Sequence, residues 1–287
     1  FSNYRIEPIE YTDKSKLLPE QLKKYNDLGE KVIREGKYSV VTMAGGQGTR
    51  LGHNGPKGTF MLGIKNDKSI FEILIDTLKE NNKKYGITIP WYIMTSRENN
   101  DQTEEFFKEN NYFNYDSSLI IFFKQGELPM CSEDGKLLID EKGKIKEAAD
   151  GHGGIFESMR KNGIISDMKS KGIEWAFIGP VDNVLAKMVD PTLLGLALDK
   201  KVLAGGKSVV KAGPKEKVGV FCKRNGKPGV VEYTEITDDM AQATTENGQL
   251  IFGESHINCN LFNIESIEEV SKKKLPYHCE HKKDKYI

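Results

Sequence analysis

The sequence predicts an α/β fold, a mostly parallel, doubly wound sheet with an antiparallel insertion beside it. Three observations lead there. Between Tyr38 and Ile178 short apolar runs alternate with amphipathic stretches of helical length, as strands joined by crossover helices do. The first run, Val40-Val41-Thr42-Met43, passes directly into a loop rich in glycine. Beyond about residue 200 the alternation stops, and the runs Val218–Cys222 and Val230–Ile236 flank Asn225-Gly226, a strong hairpin signal.

Taken in order, residues 1–36 are polar, with Leu17, Leu18, Leu22 and Leu28 spaced as a loose helical face, and read as an N-terminal helical arm. Ser39–Met43 is a strand. Ser69 is placed to cap a helix whose wide apolar face carries Ile70, Phe71, Ile73, Leu74, Ile75 and Leu78. Trp91–Met94 and Leu119–Phe123 read as strands, with a helix over Thr103–Asn110 between them. Helices over Ile155–Lys161 and Ile165–Lys171 precede a strand at Glu174–Ile178. Ligands of such a sheet sit outside the carboxyl ends of its strands. The loop after Met43 and the acid Asp182 both follow strand ends, so they can share one crevice.

Composition narrows the function. The 287 residues hold 42 Lys+Arg and 42 Asp+Glu, a formal net charge of zero, which argues against nucleic-acid binding through a general basic field. The basic runs Lys272-Lys273-Lys274 and Lys282-Lys283 read as solvated faces. Cys131, Cys222, Cys259 and Cys279 stand far apart without zinc spacing or a disulfide framework, which fits a reducing, cytoplasmic compartment. His278, Cys279 and His281 cluster, but at a spacing poor for zinc. No run of about 18 apolar residues and no signal peptide is visible, so no membrane association is expected. The chain opens on Phe1, which points to a start other than the native one.

The richest segment is Ala44-Gly45-Gly46-Gln47-Gly48-Thr49-Arg50-Leu51-Gly52, followed by Pro56-Lys57-Gly58. Glycines let backbone N–H groups approach a polyanion, and Arg50 and Lys57 put positive charge where phosphates would lie. The spacing fits neither a P-loop, which needs Gly-Lys-Ser/Thr, nor the Gly-x-Gly-x-x-Gly dinucleotide fingerprint, because Gly58 follows Lys57 and Leu51 stands at the third glycine position. A tight turn is the plain alternative, and the two basic residues argue against it. From the residues alone, Asp182 reads equally as a helix cap or a metal ligand. Gln125 is an ordinary polar loop residue or a reader of an imide edge, since its amide both donates and accepts. His152 is a solvated loop histidine or a donor to a hydroxyl.

The glycine segment resembles the signature of the UTP:sugar-1-phosphate uridylyltransferases, and the nearest branch is the eukaryotic UDP-N-acetylglucosamine pyrophosphorylase type. The resemblance continues in the family's order through Ile93-Met94-Thr95-Ser96, Phe122-Phe123-Lys124-Gln125-Gly126, Asp150-Gly151-His152-Gly153-Gly154, Val181-Asp182-Asn183 and Val231-Glu232-Tyr233. It implies a Rossmann-like, GT-A-type nucleotidyltransferase sheet over residues 37–287, with a sugar-binding antiparallel insertion.

The substrates implied are UTP and a sugar 1-phosphate, with Mg²⁺ as cofactor. A phosphate oxygen of the sugar 1-phosphate attacks the α-phosphorus in line and pyrophosphate leaves. Such a reaction needs no activated side-chain nucleophile, and the sequence offers no nucleophilic triad motif. The resemblance places Arg50 and Lys57 on the triphosphate and Asp182 on the metal. Gly45, Gly46, Gln125, Pro129 and Gly151 fall around the nucleotide. His152, Asn183, Glu232 and Asn260 fall around the sugar, with Asn260 favoured over Asn258 because it keeps the spacing to Leu261-Phe262.

The chain departs from the N-acetylglucosamine branch at His152, where that branch has Asn, so glucose or galactose 1-phosphate is the alternative substrate. The family sequence normally runs further, into a second phosphate-side lysine and a C-terminal domain. The chain is accordingly expected to be a fragment, or the ordered part of one. A chain ending at Ile287 is expected to bind UTP and turn over slowly, and an inactive UDP-sugar-binding module is a further alternative. A glycosyltransferase would want an Asp-x-Asp pair, and Val181-Asp182-Asn183 supplies one acid.

Overall fold

Successive side chains of a strand point to opposite faces, so a strand covered on both sides feeds two cores. That is the organising fact of this molecule, a computed structural model that describes residues 5–63 and 67–275. Along the chain run β1 (Ile6–Glu7), α1 (Pro19–Arg34), β2 (Tyr38–Met43), α2 (Ile70–Tyr85), β3 (Trp91–Thr95), α3 (Asn100–Glu109), β4 (Ile120–Lys124), β5 (Glu127–Pro129), β6 (Glu147–Ala149), α4 (Ile155–Lys161), α5 (Ile164–Ser170), β7 (Trp175–Pro180), α6 (Pro191–Asp199), β8 (Ala204–Val210), β9 (Val220–Arg224), β10 (Lys227–Val231), α7 (Asp238–Gln242), β11 (Glu254–Asn263) and α8 (Ile264–Ser271). Val40, Trp91, Ile93 and Phe177 pack with α2, α3 and α6 on one face. Val41, Tyr92, Met94 and Ile178 pack with α4, α5 and α8 on the other.

The nine-stranded sheet has the order β1-β9-β11-β7-β2-β3-β4, with β10 on β9 and β8 on β11. Its centre, β7-β2-β3-β4, is parallel throughout. Beyond β7 every pairing is antiparallel. The antiparallel strands expected beside the nucleotide sheet therefore continue it edge to edge through β11. The chain moves outward from β2 to β3 to β4 and then crosses back to β7 on the far side of β2. Reversal at β2/β7 opens a crevice at their carboxyl ends.

Local signals explain the element ends. The Ser69 hydroxyl accepts from the Glu72 amide at the start of α2, and Gly86 closes that helix at φ 68°. Asn225 and Gly226 both take positive φ, 50° and 77°, the requirement of a type I′ turn between β9 and β10. β10 ends at Val231, short of the Ile236 expected from the sequence. The amides of Glu235 and Ile236 both return to the Glu232 carbonyl, and that turn stops the strand.

Within residues 5–36, α1 buries Tyr25, Gly29 and Ile33 and leaves Leu22 and Leu28 partly buried, while Leu18, just before the helix, is 54% exposed. α1 lies against α6 at backbone contact. A Cβ on Gly29 would come within 2.0 Å of the Pro191 carbonyl oxygen, and one on Gly195 within 1.8 Å of that of Tyr25. β1 pairs with β9 at Arg224 and Lys223. The His278, Cys279 and His281 cluster lies outside the described residues. Among those described, no helix is long and apolar enough to cross a membrane.

Candidate functional site

Four loops leave the carboxyl ends of the parallel strands on one side of the sheet. The loop after β2 folds back on itself: the Lys57 amide donates to the Gly46 carbonyl at 3.0 Å and the Gly48 amide to the Gly55 carbonyl at 2.9 Å. This brings Lys57 alongside the first glycines although ten residues separate them in sequence. After β7, the Val181 amide donates to the Met43 carbonyl at 3.1 Å and ties the neighbouring loop to the end of β2. Lys57 Nζ and Asp182 Oδ2 then meet at 2.8 Å. Asp182 is half exposed, with 49% of its side chain accessible. The structure therefore places Asp182 against a cation at the crevice, and its cap reading has no support here: α6 is capped by Asp190.

Gln125 leads off β4, its amide donating to the Thr95 carbonyl at 2.8 Å. Its side chain lies over the glycine loop so closely that a Cβ on Gly45 would stand 2.6 Å from Oε1. A side chain at position 45 would therefore push the Gln125 amide from its place. The Gly126 amide donates to the buried Ser158 hydroxyl at 3.0 Å and fixes this loop to α4. Asp150 joins the same loop, its amide donating to the Gly126 carbonyl. Burial holds its carboxyl above the usual carboxylate range, and Oδ1 is buried without a partner among the described residues. Gly151 follows at φ 80° and starts the turn that presents His152.

The walls around the His152 ring hold it below its ordinary value; the charge of Asp182 pulls it up and that of Lys57 pushes it down. The His152 ring thus lies within the field of both Lys57 and Asp182. Asn183 Nδ2 lies 3.8 Å from the buried Cys259 Sγ on β11. That strand shifts register against β8 between His256 and Asn260, with Asn258 at φ 55° in the irregular stretch. The shift sets Asn260 Nδ2 3.4 Å from His256 Nε2. Burial lowers the His256 pKa, the Asn260 amide and Glu232 raise it, and His152 lowers it again. The Glu232 carboxylate lies over Gly219, whose added Cβ would stand 3.1 Å from Oε2.

Of the residues singled out from the sequence, Lys57 and Asp182 are paired with His152 in their field, Asn260 meets His256 in the field of Glu232, and Asn183 reaches Cys259. Gly45, Gly46, Gln125 and Gly151 line the side toward β4. Arg50 is exposed on the turn Thr49–Leu51 and makes no ion pair with a described residue. Pro129 stands further out, in β5 opposite Glu147. Sequence reasoning passed over His256, Asn99 and Ser158. For His256 the signal was present, two residues before Asn258 and four before Asn260, but strict alternation along a strand hides a residue next to a bulge.

The donor set bears on a metal. Among the described residues no group of three His, Cys, Asp or Glu side chains could hold an ion. Asp182 alone suits a hard divalent cation carried by phosphates, which takes one or two carboxylates and completes its shell with phosphate oxygen and water.

The sequence profile described as UTP--glucose-1-phosphate uridylyltransferase matches residues 3–286. UDP-N-acetylglucosamine diphosphorylase 2 of Arabidopsis thaliana is 38% identical over 282 residues, 92% of this chain and 56% of that protein. UDP-N-acetylglucosamine pyrophosphorylase of Saccharomyces cerevisiae is 34% identical over 287 residues, 97% of this chain and 60% of that protein. The solved uridine diphosphate N-acetylglucosamine pyrophosphorylase of Trypanosoma brucei superimposes with a TM-score of 0.85 at 30% identity, over 93% of this chain and 56% of that one. The chain thus spans about half the length of the curated relatives it matches. With a profile match from end to end and the glycine loop, Lys57 and Asp182 assembled at one crevice, the chain belongs to the UTP--glucose-1-phosphate uridylyltransferase family.

Proposed function

We propose that this chain binds UTP and a sugar 1-phosphate and forms a UDP-sugar and pyrophosphate, with N-acetylglucosamine 1-phosphate as the preferred substrate. The observation that carries the reading is the meeting of Lys57 and Asp182 at the β2/β7 reversal, beside a loop of closely packed glycines. The relatives' names support the same reaction class. The fold is read as GT-A-type, with the antiparallel strands from β8 to β11 as the sugar-binding side.

In this reading the glycine loop and Lys57 take the triphosphate, and Arg50 closes over it from its exposed turn. Gln125 meets the base edge beside the Gly46 backbone and Gly151, with Pro129 shaping the segment that follows. Glu232, Asn260, Asn183 and His152 hold sugar hydroxyls. The attacking atom is an oxygen of the sugar phosphate, already anionic. It bonds to the α-phosphorus as the bond to the bridging oxygen breaks and pyrophosphate carries away the electron pair. No proton has to be moved by the protein, so catalysis is positioning and charge neutralisation. Asp182 would hold Mg²⁺, which when bound would supply charge neutralisation on the phosphate oxygens. A cytoplasmic setting belongs to the same reading and is supported by the free thiols of Cys131, Cys222 and Cys259.

The test is pyrophosphate release with UTP and a panel of N-acetylglucosamine, glucose and galactose 1-phosphates. Release fastest with N-acetylglucosamine 1-phosphate is expected. Release fastest with glucose or galactose 1-phosphate would keep the chemistry and reassign the sugar, and UTP binding with no release from any of them would replace catalysis by binding.

A further inference from the structure

The glycine loop is held from behind by a buried amide. Asn99 is 0% exposed at the first turn of α3, and its side chain does two separable things. Its Oδ1 accepts from the Ser96 amide at 2.9 Å while the Ser96 hydroxyl accepts from the Asn99 amide at 3.2 Å. That reciprocal pair caps the turn Ser96–Asn99 that leads into α3. Its Nδ2 turns the other way and donates to the Ala44 carbonyl at 2.9 Å and the Gly46 carbonyl at 3.3 Å, 55 and 53 residues away along the chain. The cap does not require those two bonds.

Planarity of the peptide gives them a direction. In a trans peptide the C=O and the following N–H point opposite ways. Drawing the carbonyls of Ala44 and Gly46 toward Asn99 turns the N–H groups of Gly45 and Gln47 away from the interior. The Gly46 face is open, with no atom within 4 Å of where a Cβ would stand. An anion cradle consists of backbone N–H groups aimed together before the ligand arrives.

We propose that Asn99 is a positioning residue for the phosphate cradle, its amide fixing the two peptide planes whose N–H groups receive the triphosphate. The proposal rests on the reading of this loop as a UTP site.

Asn99→Asp keeps the Oδ1 acceptor and the cap but loses both donors to the loop. Asn99→Ala removes both and adds no charge. Ser96→Ala weakens the cap and leaves the grip on the loop. UTP and uridine affinities are measured by calorimetry for these variants and the parent, with thermal unfolding alongside. Both Asn99 variants are expected to lose roughly 10- to 100-fold in UTP affinity, the scale for hydrogen bonds to a charged group, while uridine affinity holds. Ser96→Ala is expected to unfold earlier with its UTP-to-uridine ratio intact. A parent that binds UTP more tightly than uridine, with Asn99 variants of the same ratio, would overturn the role of Asn99 alone. A parent with no preference for UTP would overturn the nucleotide reading and this inference together.

Discussion

The ammonium of Lys57 and the carboxylate of Asp182 form an ion pair at 2.8 Å across the mouth of the crevice, joining the loop after β2 to the loop after β7. With side chains 25% and 49% exposed, such a pair contributes at most about 1 kcal/mol. Contacts to phosphate are worth more, about 1.5–3 kcal/mol each. On the proposed function, a triphosphate with its cation should separate the two groups, each exchanging its partner for a ligand of the same sign.

Lys57→Ala should lower turnover by roughly 10²–10³, the scale for losing one preorganised electrostatic donor. The Asp182 partner left behind is solvated, so the fold should survive. Steady-state rates with saturating sugar 1-phosphate measure this, and turnover near that of the parent would reject the role.

The proposed role of Asp182 predicts metal dependence. Removing divalent cations with EDTA should abolish pyrophosphate release, and Mg²⁺ should restore it. Asp182→Asn should raise the Mg²⁺ concentration for half-maximal rate at least tenfold, about 1.4 kcal/mol of lost metal affinity. An unchanged Mg²⁺ titration curve in that variant would mean that another group holds the ion.

In the proposed reading Glu232 serves the sugar and not the nucleotide. Placed over Gly219 and within the field of His256, it faces the antiparallel side and not the glycine loop. Glu232→Ala should raise the KM for the sugar 1-phosphate tenfold or more, the worth of a charged hydrogen bond, with the KM for UTP unchanged. A parallel rise in both constants would place Glu232 elsewhere in the mechanism.

Asp190 and Lys207 make a second pair, nearly buried, at 2.7 Å with side chains 11% and 18% exposed. Burial pushes the Asp190 carboxyl up, and Lys207 more than offsets it, leaving the group below its ordinary value. The same carboxylate caps α6 through the Thr192 and Leu193 amides. Removing the cation strands that charge, so Lys207→Ala should cost about 2–3 kcal/mol in urea unfolding. A loss under half of that would show that water reaches Asp190.

The pH dependence of stability has a traceable source in His256, acting in the same direction as His152. Its pKa in the folded chain is depressed from 6.5, chiefly by burial, with Glu232 and the Asn260 amide opposing and His152 assisting. As pH falls through about 6.5 the unfolded chain takes up the proton first. This contribution is therefore complete above that pH and declines below it. His256→Asn should flatten the fall in unfolding midpoint between pH 7.5 and 5.5. An equally steep fall in that variant would assign the dependence to other groups.

Much of this was legible in the chain. The alternation from Tyr38 to Ile178 specifies parallel strands and covering helices because buried strands and amphipathic helices need those patterns. Ser69, Gly86 and Asn225-Gly226 mark their element ends through chemistry confined to a few residues. Motif order identified Lys57 and Asp182 as residues of interest. Contacts between distant segments were beyond its reach. How closely α1 docks on α6 was settled by backbone approach at Gly29 and Gly195, which the leucine spacing does not encode. Strand β10 stopped at Val231 because a turn at Glu232 captured two amides. The bulge in β11 brought His256 to Asn260, and an amide from α3 gripped the glycine loop. Periodicity and caps are local and can be read one segment at a time. Register, close approach and the pairing of charges depend on where remote backbone lies, and folding alone decides that.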